Sequence, residues 1–121
     1  MNTFVKRSLE TYLEADWVSH VRLMSEEIRE LNPEGVHGMN NIRYTVHHIE
    51  VFKKPPWMFA LSTEIFGSSL GHLMLEEGKE YLLCGEFSEG ILCCTPYGQV
   101  KPDEISHLVA EWNQIPYSFI E

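Results

Sequence analysis

Residues 42–53 read IRYTVHHIEVFK, and this stretch carries the clearest structural signal in the chain. From Ile42 to Val46 apolar side chains alternate with polar ones, which is the period of a half-buried β-strand. After His47-His48 the apolar positions shift by one residue and resume at Ile49. A β-bulge at the two histidines explains the shift, because one extra residue exchanges the faces of everything that follows. The stretch therefore predicts a long, bulged strand.

Further short apolar runs surround this strand at close spacing, and turn-forming residues separate them. The runs are Trp57 to Leu61, Leu70 to Leu75, Tyr81 to Cys84 and Ile91 to Cys94. Several short strands with regular turns are typical of a small barrel or sandwich. If Ser88 to Gly90 form a three-residue turn, Cys84 lies opposite Cys94 and within disulfide reach, although unbonded core thiols are the favoured interpretation.

Helical spacing flanks the predicted strands. An apolar stripe from Val5 to Leu13 predicts a short amphipathic helix, and Asp103 predicts the cap of a second helix that reaches Trp112. Turn formers from Asn32 to Asn41 predict a loop. For residues 17–31 the apolar period alone favours a helix, although part of the segment also suits one face of a strand.

Size and charge limit the classes of function. The chain has 121 residues, which fits one domain, and 44% of them are hydrophobic, as in globular proteins. Its formal charge of −9 disfavours nucleic acid and anionic membranes as partners, and Lys6-Arg7 and Lys53-Lys54 are too short to form a polybasic patch. With no long apolar run and no signal core, the sequence as given is expected neither to insert into a membrane nor to be a precursor.

The cysteines alone suggest a reduced compartment. Cys84, Cys93 and Cys94 are an odd number and two are adjacent, which is unlike a disulfide framework. Cys84 lies within an apolar run, where thiols are usually inert, so a cysteine nucleophile is disfavoured.

Other candidate chemistry is sparse. His48 and Glu50 would share a strand face, and with His47 they invite a metal-site interpretation. Two ligands do not complete a site, so a structural role is favoured. The sequence contains no phosphate-binding glycine loop, nucleophile elbow or zinc-peptidase motif. We therefore expect a protein with no catalytic residues, no metal site and no cofactor.

Three separated blocks carry a resemblance to a known family. They are ADWVSHV at residues 15–21, IRYTVHHIEVFK at 42–53 and GKEYLLCG at 78–85. In order and spacing they resemble the netrin-like domain of the tissue inhibitors of metalloproteinases (TIMPs), and most closely the secreted worm members. The resemblance implies one all-β domain over residues 1–121, a five-stranded OB-fold-like β-barrel with flanking helices. It also implies that residues 16–26 are a strand, against the helical interpretation.

The resemblance implies a binding ridge as well. Inhibition in the family depends on an N-terminal Cys-X-Cys, whose first residue places its α-amino group and carbonyl on the catalytic zinc of the proteinase. Met1 and Thr3 occupy the two cysteine positions here. The protein-binding residues implied by the family ridge are Met1, Asn2, Thr3, Phe4, Ser68 and Ser69.

The family's disulfide framework is also replaced. Leu13 and Leu70 stand at two family cysteine positions, and a terminal cysteine is absent from the sequence as given. One family cysteine persists, as Cys93 or Cys94, without a cysteine at position 3. The three expected bridges are therefore lost, and Leu13 and Leu70 are expected to fill the vacated space. Without the bridges the N-terminal segment is not pinned against Ser68-Ser69, which removes preorganisation.

Three hypotheses follow. The leading one is a secreted, non-enzymatic TIMP-like binding protein without the zinc-chelating end, whose partner is a metalloproteinase or a host or cell-surface protein, with an immunomodulatory role among those expected. The second is an active metalloproteinase inhibitor that uses its N-terminal segment. The third is an intracellular OB-type binding domain or a small thiol enzyme, suggested by the cysteines alone.

Overall fold

The computed structural model describes residues 10–30, 39–69, 71–100 and 109–115. Five strands within them close a barrel in the order β1-β2-β3-β5-β4. The strands are β1 (Trp17–Ile28), β2 (Ile42–Lys53), β3 (Glu64–Gly67), β4 (Glu80–Ser88) and β5 (Ile91–Cys93). All neighbours pair antiparallel except β3 and β5, which are parallel. The all-β, five-stranded barrel implied by the resemblance is confirmed.

Short helical segments accompany the barrel. Residues 10–14 are helical and lead into β1, in agreement with the predicted first helix over the part that is described. Single 3-10 turns form at Pro96–Gly98 and Trp112–Gln114. Among the described residues no helix has the length and apolarity needed to cross a bilayer. Val5, Leu9, Leu70 and residues 101–108 lie outside the described residues. The end of the helix predicted from Asp103 is described and is not α-helical, because Val109 and Ala110 belong to no helix and only a 3-10 turn begins at Trp112.

The helical interpretation of residues 17–31 is wrong, because β1 runs from Trp17 to Ile28. Its first five residues are all buried, since the barrel core covers one face and a second apolar cluster covers the other. A strand buried on both faces does not show a simple alternation of apolar and polar residues. The helical spacing along β1 is unrelated to burial, because Met24 and Ile28 are more than half exposed whereas the polar residues Ser19 and His20 are buried.

The bulge in β2 is confirmed, one residue beyond the predicted histidines. His20 of β1 pairs with Glu50 and Val21 pairs with His48, so Ile49 is the extra residue. The shift does not bring the later apolar residues into the core, because Ile49 and Val51 remain exposed. Phe52 packs instead against the second cluster on the outside of the barrel.

The remaining strands were only partly predicted. The run from Tyr81 to Cys84 lies within β4 and the run from Ile91 to Cys94 contains β5, but residues 57–61 and 71–75 are not strands. The predicted runs also omit β3, whose four residues, Glu64–Gly67, lie between two of them. Such a short strand is stabilised by its pairing with β2 and β5 rather than by a period of its own.

The predicted three-residue turn between β4 and β5 is also wrong. Ser88 pairs with Ile91, so the turn has two residues, Glu89 and Gly90, with φ of 53° and 86°. Two successive positive φ angles are the signature of a type I′ hairpin turn. The register places Glu86 opposite Cys93, so Cys84 and Cys94 are not cross-strand partners.

Two apolar clusters stabilise the barrel. The inner cluster includes Trp17, Tyr44, Ile65, Leu83 and Leu92. The outer cluster covers β1 and β4 with the segment 109–115 and includes Val18, Leu82, Val100, Ala110 and Ile115. The expectation that Leu13 fills the space of a lost cysteine is wrong, because its side chain is 73% exposed.

The strand directions define two ends of the barrel. At one end β1, β3 and β5 finish while β2 and β4 begin, and we name it the serine rim because Ser68 and Ser69 follow β3 there. At the other end β2 and β4 finish while β1, β3 and β5 begin. We name this end the tryptophan rim, because Trp57 lies in the connection that leaves β2.

Candidate functional site

The predicted binding serines lie in a short turn that leaves β3. Ser68 is half-buried and Ser69 is exposed. The backbone N–H of Gly71 donates to the Ser68 carbonyl at 3.0 Å, and the two residues form an isolated β-bridge. We name Ser68, Ser69 and Gly71 the serine loop. Its backbone is folded back on itself and presents the two hydroxyl-bearing residues at the rim.

Asn41 holds the serine loop in place. Its side chain is buried, with 6% of the residue exposed, and its Nδ2 donates to Ser69 Oγ at 3.0 Å and to the Arg29 carbonyl at 2.8 Å. The Ser69 N–H donates to Asn41 Oδ1 at 2.9 Å, and the Asn40 N–H donates to Ser68 Oγ at 2.9 Å. A buried amide that is fully hydrogen-bonded specifies one geometry. The loop is thus positioned by hydrogen bonds.

The role of Asn41 was not predicted from the sequence. Asn40 and Asn41 belong to a stretch of turn formers, where asparagine is common for local reasons. The partner residue lies 28 positions along the chain, so no local pattern reports the contact. The one available signal is that Asn41 directly precedes the strongest strand of the sequence.

Replacement of Asn41 by alanine is expected to lower the free energy of unfolding by about 1–3 kcal/mol, because buried donors and acceptors lose their partner. The change also removes the acceptor of the Ser69 amide. Hydrogen exchange should therefore show faster exchange at Ser69, measured together with urea unfolding. Unchanged exchange at Ser69 in Asn41→Ala would contradict this role.

Neighbouring segments complete the serine rim. A Cβ added at Gly71 would lie 3.3 Å from Pro96 Cδ, so the serine loop lies against the segment after β5. The Cys94 N–H donates to the Phe66 carbonyl at 2.9 Å and extends that contact. Exposed apolar side chains near this end include Ile28, Met39 and Met74. Methionine adapts its shape to a partner, which suits a recognition surface.

The connection from the serine loop to β4 is tied to β1 by His72. Its Nδ1 accepts from the Met74 N–H at 2.8 Å, and its Nε2 lies 3.0 Å from Glu26 Oε1. The hydrogen bond from Met74 orders the chain that follows the loop, and the His72 ring brings this chain against β1. Glu26 Oε1 itself is buried and has no hydrogen-bond partner among the described residues.

The four N-terminal residues of the predicted ridge, Met1 to Phe4, lie outside the described residues. Their convergence with Ser68 and Ser69 stays a prediction. The structure describes the other two residues of the predicted ridge, Ser68 and Ser69, with the asparagine that supports them.

The histidines considered as metal ligands have other contacts. His48 Nδ1 lies 2.7 Å from Ser19 Oγ, and Nε2 lies 2.8 Å from the Ser62 carbonyl. His47 is exposed on the opposite side of β2. In the described part of the chain no group of three or more potential ligands could hold a metal. Because Ser19 is fully buried, its hydroxyl is also inaccessible to a substrate.

A second histidine links the barrel to the segment 109–115. The His20 ring stacks on Trp112 with centroids 3.7 Å apart, and its Nε2 lies 2.6 Å from Glu80 Oε1. Hydrogen bonds from Arg22 and His20 lower the pKa of Glu80, which therefore remains ionised. The stack fastens residues 109–115 over the outer cluster and has a structural role.

The buried thiols of Cys84 and Cys94 have low reactivity as nucleophiles. Burial raises the pKa of Cys84 to about 12, and burial also raises the pKa of Cys94. A thiol that remains protonated at neutral pH is a poor nucleophile. The geometry therefore gives no support to the thiol-enzyme hypothesis at either residue.

In the folded protein at pH 8, iodoacetamide is expected to modify Cys84 and Cys94 at least about tenfold more slowly than in denaturant, since both thiols are buried and protonated. Peptide mass spectrometry after timed labelling gives the two rates. A rapid native reaction at Cys84 would revive the nucleophile hypothesis.

Comparison with known proteins identifies a relative. A Caenorhabditis elegans protein named "Putative metalloproteinase inhibitor tag-225" is 42% identical to this chain over an alignment of 122 residues. The alignment covers 88% of this chain and 74% of that protein. No model of a protein family matches the chain. The similarity extends over most of both sequences and is therefore not confined to one motif.

Proposed function

The chain belongs to the TIMP-like family of metalloproteinase inhibitors, and from this membership we propose that it is a non-enzymatic protein that binds a metalloproteinase through its serine loop. The observation that carries the proposal is the support of that loop by Asn41. A loop held in one geometry loses little conformational entropy on binding. The serine loop is the described part of the ridge that the family resemblance implies.

The zinc-directed part of the function is proposed to be weak. Met1 and Thr3 replace the cysteines that fix the α-amino group in the family, and a chelating group must be held rigidly to bind well. We therefore propose binding through the protein surface, without efficient zinc chelation. Inhibition of matrix metalloproteinases at nanomolar concentration would contradict this part of the proposal.

A charged substitution in the loop tests where a metalloproteinase binds. Ser69→Lys should weaken binding to a matrix metalloproteinase catalytic domain by at least about tenfold, because it places an unpaired charge in the interface. Ser88→Lys is the matched control, since Ser88 is also exposed but lies at the tryptophan rim. Surface plasmon resonance measures both variants. Equal affinities of the two variants would reject the serine loop as the binding site.

The second candidate is an active inhibitor that uses its N-terminal amine. Hydrogen bonds from Asn40 and Asn41 favour it, because they stabilise the serine loop without a disulfide and so preserve one wall of the inhibitory wedge. An α-amino group needs no cysteine side chain to coordinate zinc. Extension of the N-terminus by one residue should abolish inhibition under this candidate and leave binding unchanged under the first. Measurement of inhibition and binding with the extended chain therefore separates the two candidate functions.

We further propose that the protein acts outside the cell, as the resemblance to secreted worm proteins implies, and that host or cell-surface proteins are the alternative class of partner. An immunomodulatory role would follow from such a partner. Quantitative mass spectrometry of conditioned medium and of cell lysate tests the location. Recovery of the chain from the lysate alone would favour the intracellular binding-domain hypothesis.

A further inference from the structure

The tryptophan rim carries an apolar surface that the serine loop does not use. Leu13 is 73% exposed, Trp57 is 68% exposed and Phe59 is 99% exposed. An exposed aromatic side chain leaves a large apolar area in contact with water, and aromatic side chains are enriched at protein interfaces. The surface lies at the end of the barrel opposite Ser68 and Ser69, so it is separate from the candidate proteinase site.

The loop that presents these aromatic residues is preorganised. The Met58 N–H donates to the Pro55 carbonyl at 3.0 Å, and the Lys54 ammonium group donates to the Met58 carbonyl. Trp57 packs edge-on against Phe87 with ring centroids 4.9 Å apart and an interplanar angle of 71°. Two consecutive prolines fix φ at the start of the turn. A surface ordered in advance loses little entropy when it binds.

Charges of opposite sign border the apolar surface. An open groove of about 490 Å³ lies between residues 13–16 and residues 53–57, with Phe87 also in contact with it. The first segment contributes Glu14 and Asp16, and the second contributes Lys53 and Lys54. Within the described residues, none of these four side chains takes part in an ion pair. The Lys53 ammonium group crosses the groove and donates to the Tyr12 and Leu13 carbonyls, and Asp16 Oδ2 accepts from the Phe87 N–H. The charges of opposite sign that remain on the two sides are therefore Glu14 on the first segment and Lys54 on the second.

We propose that the tryptophan rim binds a second copy of this chain and forms a symmetric dimer. A two-fold axis through the groove would place residues 13–16 of one copy against residues 53–59 of the other. Glu14 of each copy then faces Lys54 of the other, and Trp57 and Phe59 of both copies meet at the centre. Self-complementarity of this kind is what an isologous interface requires. Because charges of both signs border the groove, a second copy of the chain complements it better than a partner that carries charges of only one sign.

The overall charge sets the conditions for association. Each chain carries −9, so two copies repel each other at long range. At about 0.15 M salt, charges farther apart than about 8 Å are largely screened, whereas contacts within the groove act at shorter distances. Dimerisation is thus expected at physiological ionic strength. In the dimer both serine loops remain exposed at the far ends.

Sedimentation velocity over about 1 µM to 1 mM at 0.15 M salt tests the proposal. The wild-type chain should show a concentration-dependent dimer, and Trp57→Ala and Phe59→Ala should each weaken it at least about tenfold, as for aromatic residues at the centre of interfaces. Met74→Ala is the control, because Met74 is also exposed but lies in the connection that follows the serine loop. Circular dichroism verifies that each variant is folded.

A charge exchange tests the symmetry. Lys54→Glu and Glu14→Lys should each weaken the dimer, and the double variant should restore it, because the two residues meet across the axis. Absence of rescue would overturn the proposed arrangement. A wild-type chain that is monomeric throughout the concentration range, or a dimer that Met74→Ala disrupts and Trp57→Ala does not, would overturn the proposal itself.

Discussion

Gly85→Ala is expected to lower the free energy of unfolding by about 3 kcal/mol or more, the upper range for overpacking a core. Gly85 pairs with Trp17 between β4 and β1. A Cβ at this position would lie 1.9 Å from the Cys93 carbonyl oxygen and 2.6 Å from Trp17 Cζ2. The first obstacle is backbone of β5, which cannot rotate away as a side chain could. The barrel must open locally to admit one methyl group.

Urea unfolding, monitored by circular dichroism, measures this loss. Gly98→Ala is the matched control, since its nearest contact would be Thr95 Oγ1 at 3.8 Å, an ordinary van der Waals distance. Both changes add the same methyl group to a glycine outside the left-handed region. A Gly85→Ala variant as stable as Gly98→Ala would mean that β4 and β5 do not approach as closely as described.

Trp17→Ala is expected to destabilise the protein by about 3–5 kcal/mol, the usual cost of removing a large aromatic side chain from a core. Trp17 is 0% exposed and belongs to the inner cluster. Its Nε1 also donates to the Glu86 carbonyl at 3.2 Å. The substitution therefore leaves a cavity where β1 meets β4 and removes a hydrogen bond between these strands.

Trp57→Ala provides the comparison, because it is the same chemical change at a side chain that is 68% exposed. Its expected cost is about 1 kcal/mol or less, from the lost contact with Phe87. Guanidinium titration, at a protein concentration below the range of self-association, gives the loss in the free energy of unfolding for both variants. Similar losses in the two variants would place Trp57 in the core and contradict both the fold and the proposed dimer surface.

Part of the candidate site was predicted from the sequence and part was not. The family resemblance implied that Ser68 and Ser69 are ridge residues, and this binding role stays a prediction; the structure describes both serines at the rim beside Asn41. The asparagine itself was not predicted, since its contacts span 28 residues. Leu13 was predicted to fill a vacant space and is exposed instead, because the substitution of a cysteine says nothing about which way the side chain points.

The sequence by itself determined β2 with its bulge, the acidic charge and, through three separated blocks, the barrel family. These features follow from the local alternation of apolar and polar residues or from the identity of the residues themselves. For residues 17–31 the local period favoured a helix, and only the family resemblance implied the strand that the structure contains. The tertiary structure alone decided that β3 exists, that the last turn has two residues and that the aromatic loop is exposed. Burial on two faces and strand pairing depend on residues distant in the chain, and a local period cannot report them.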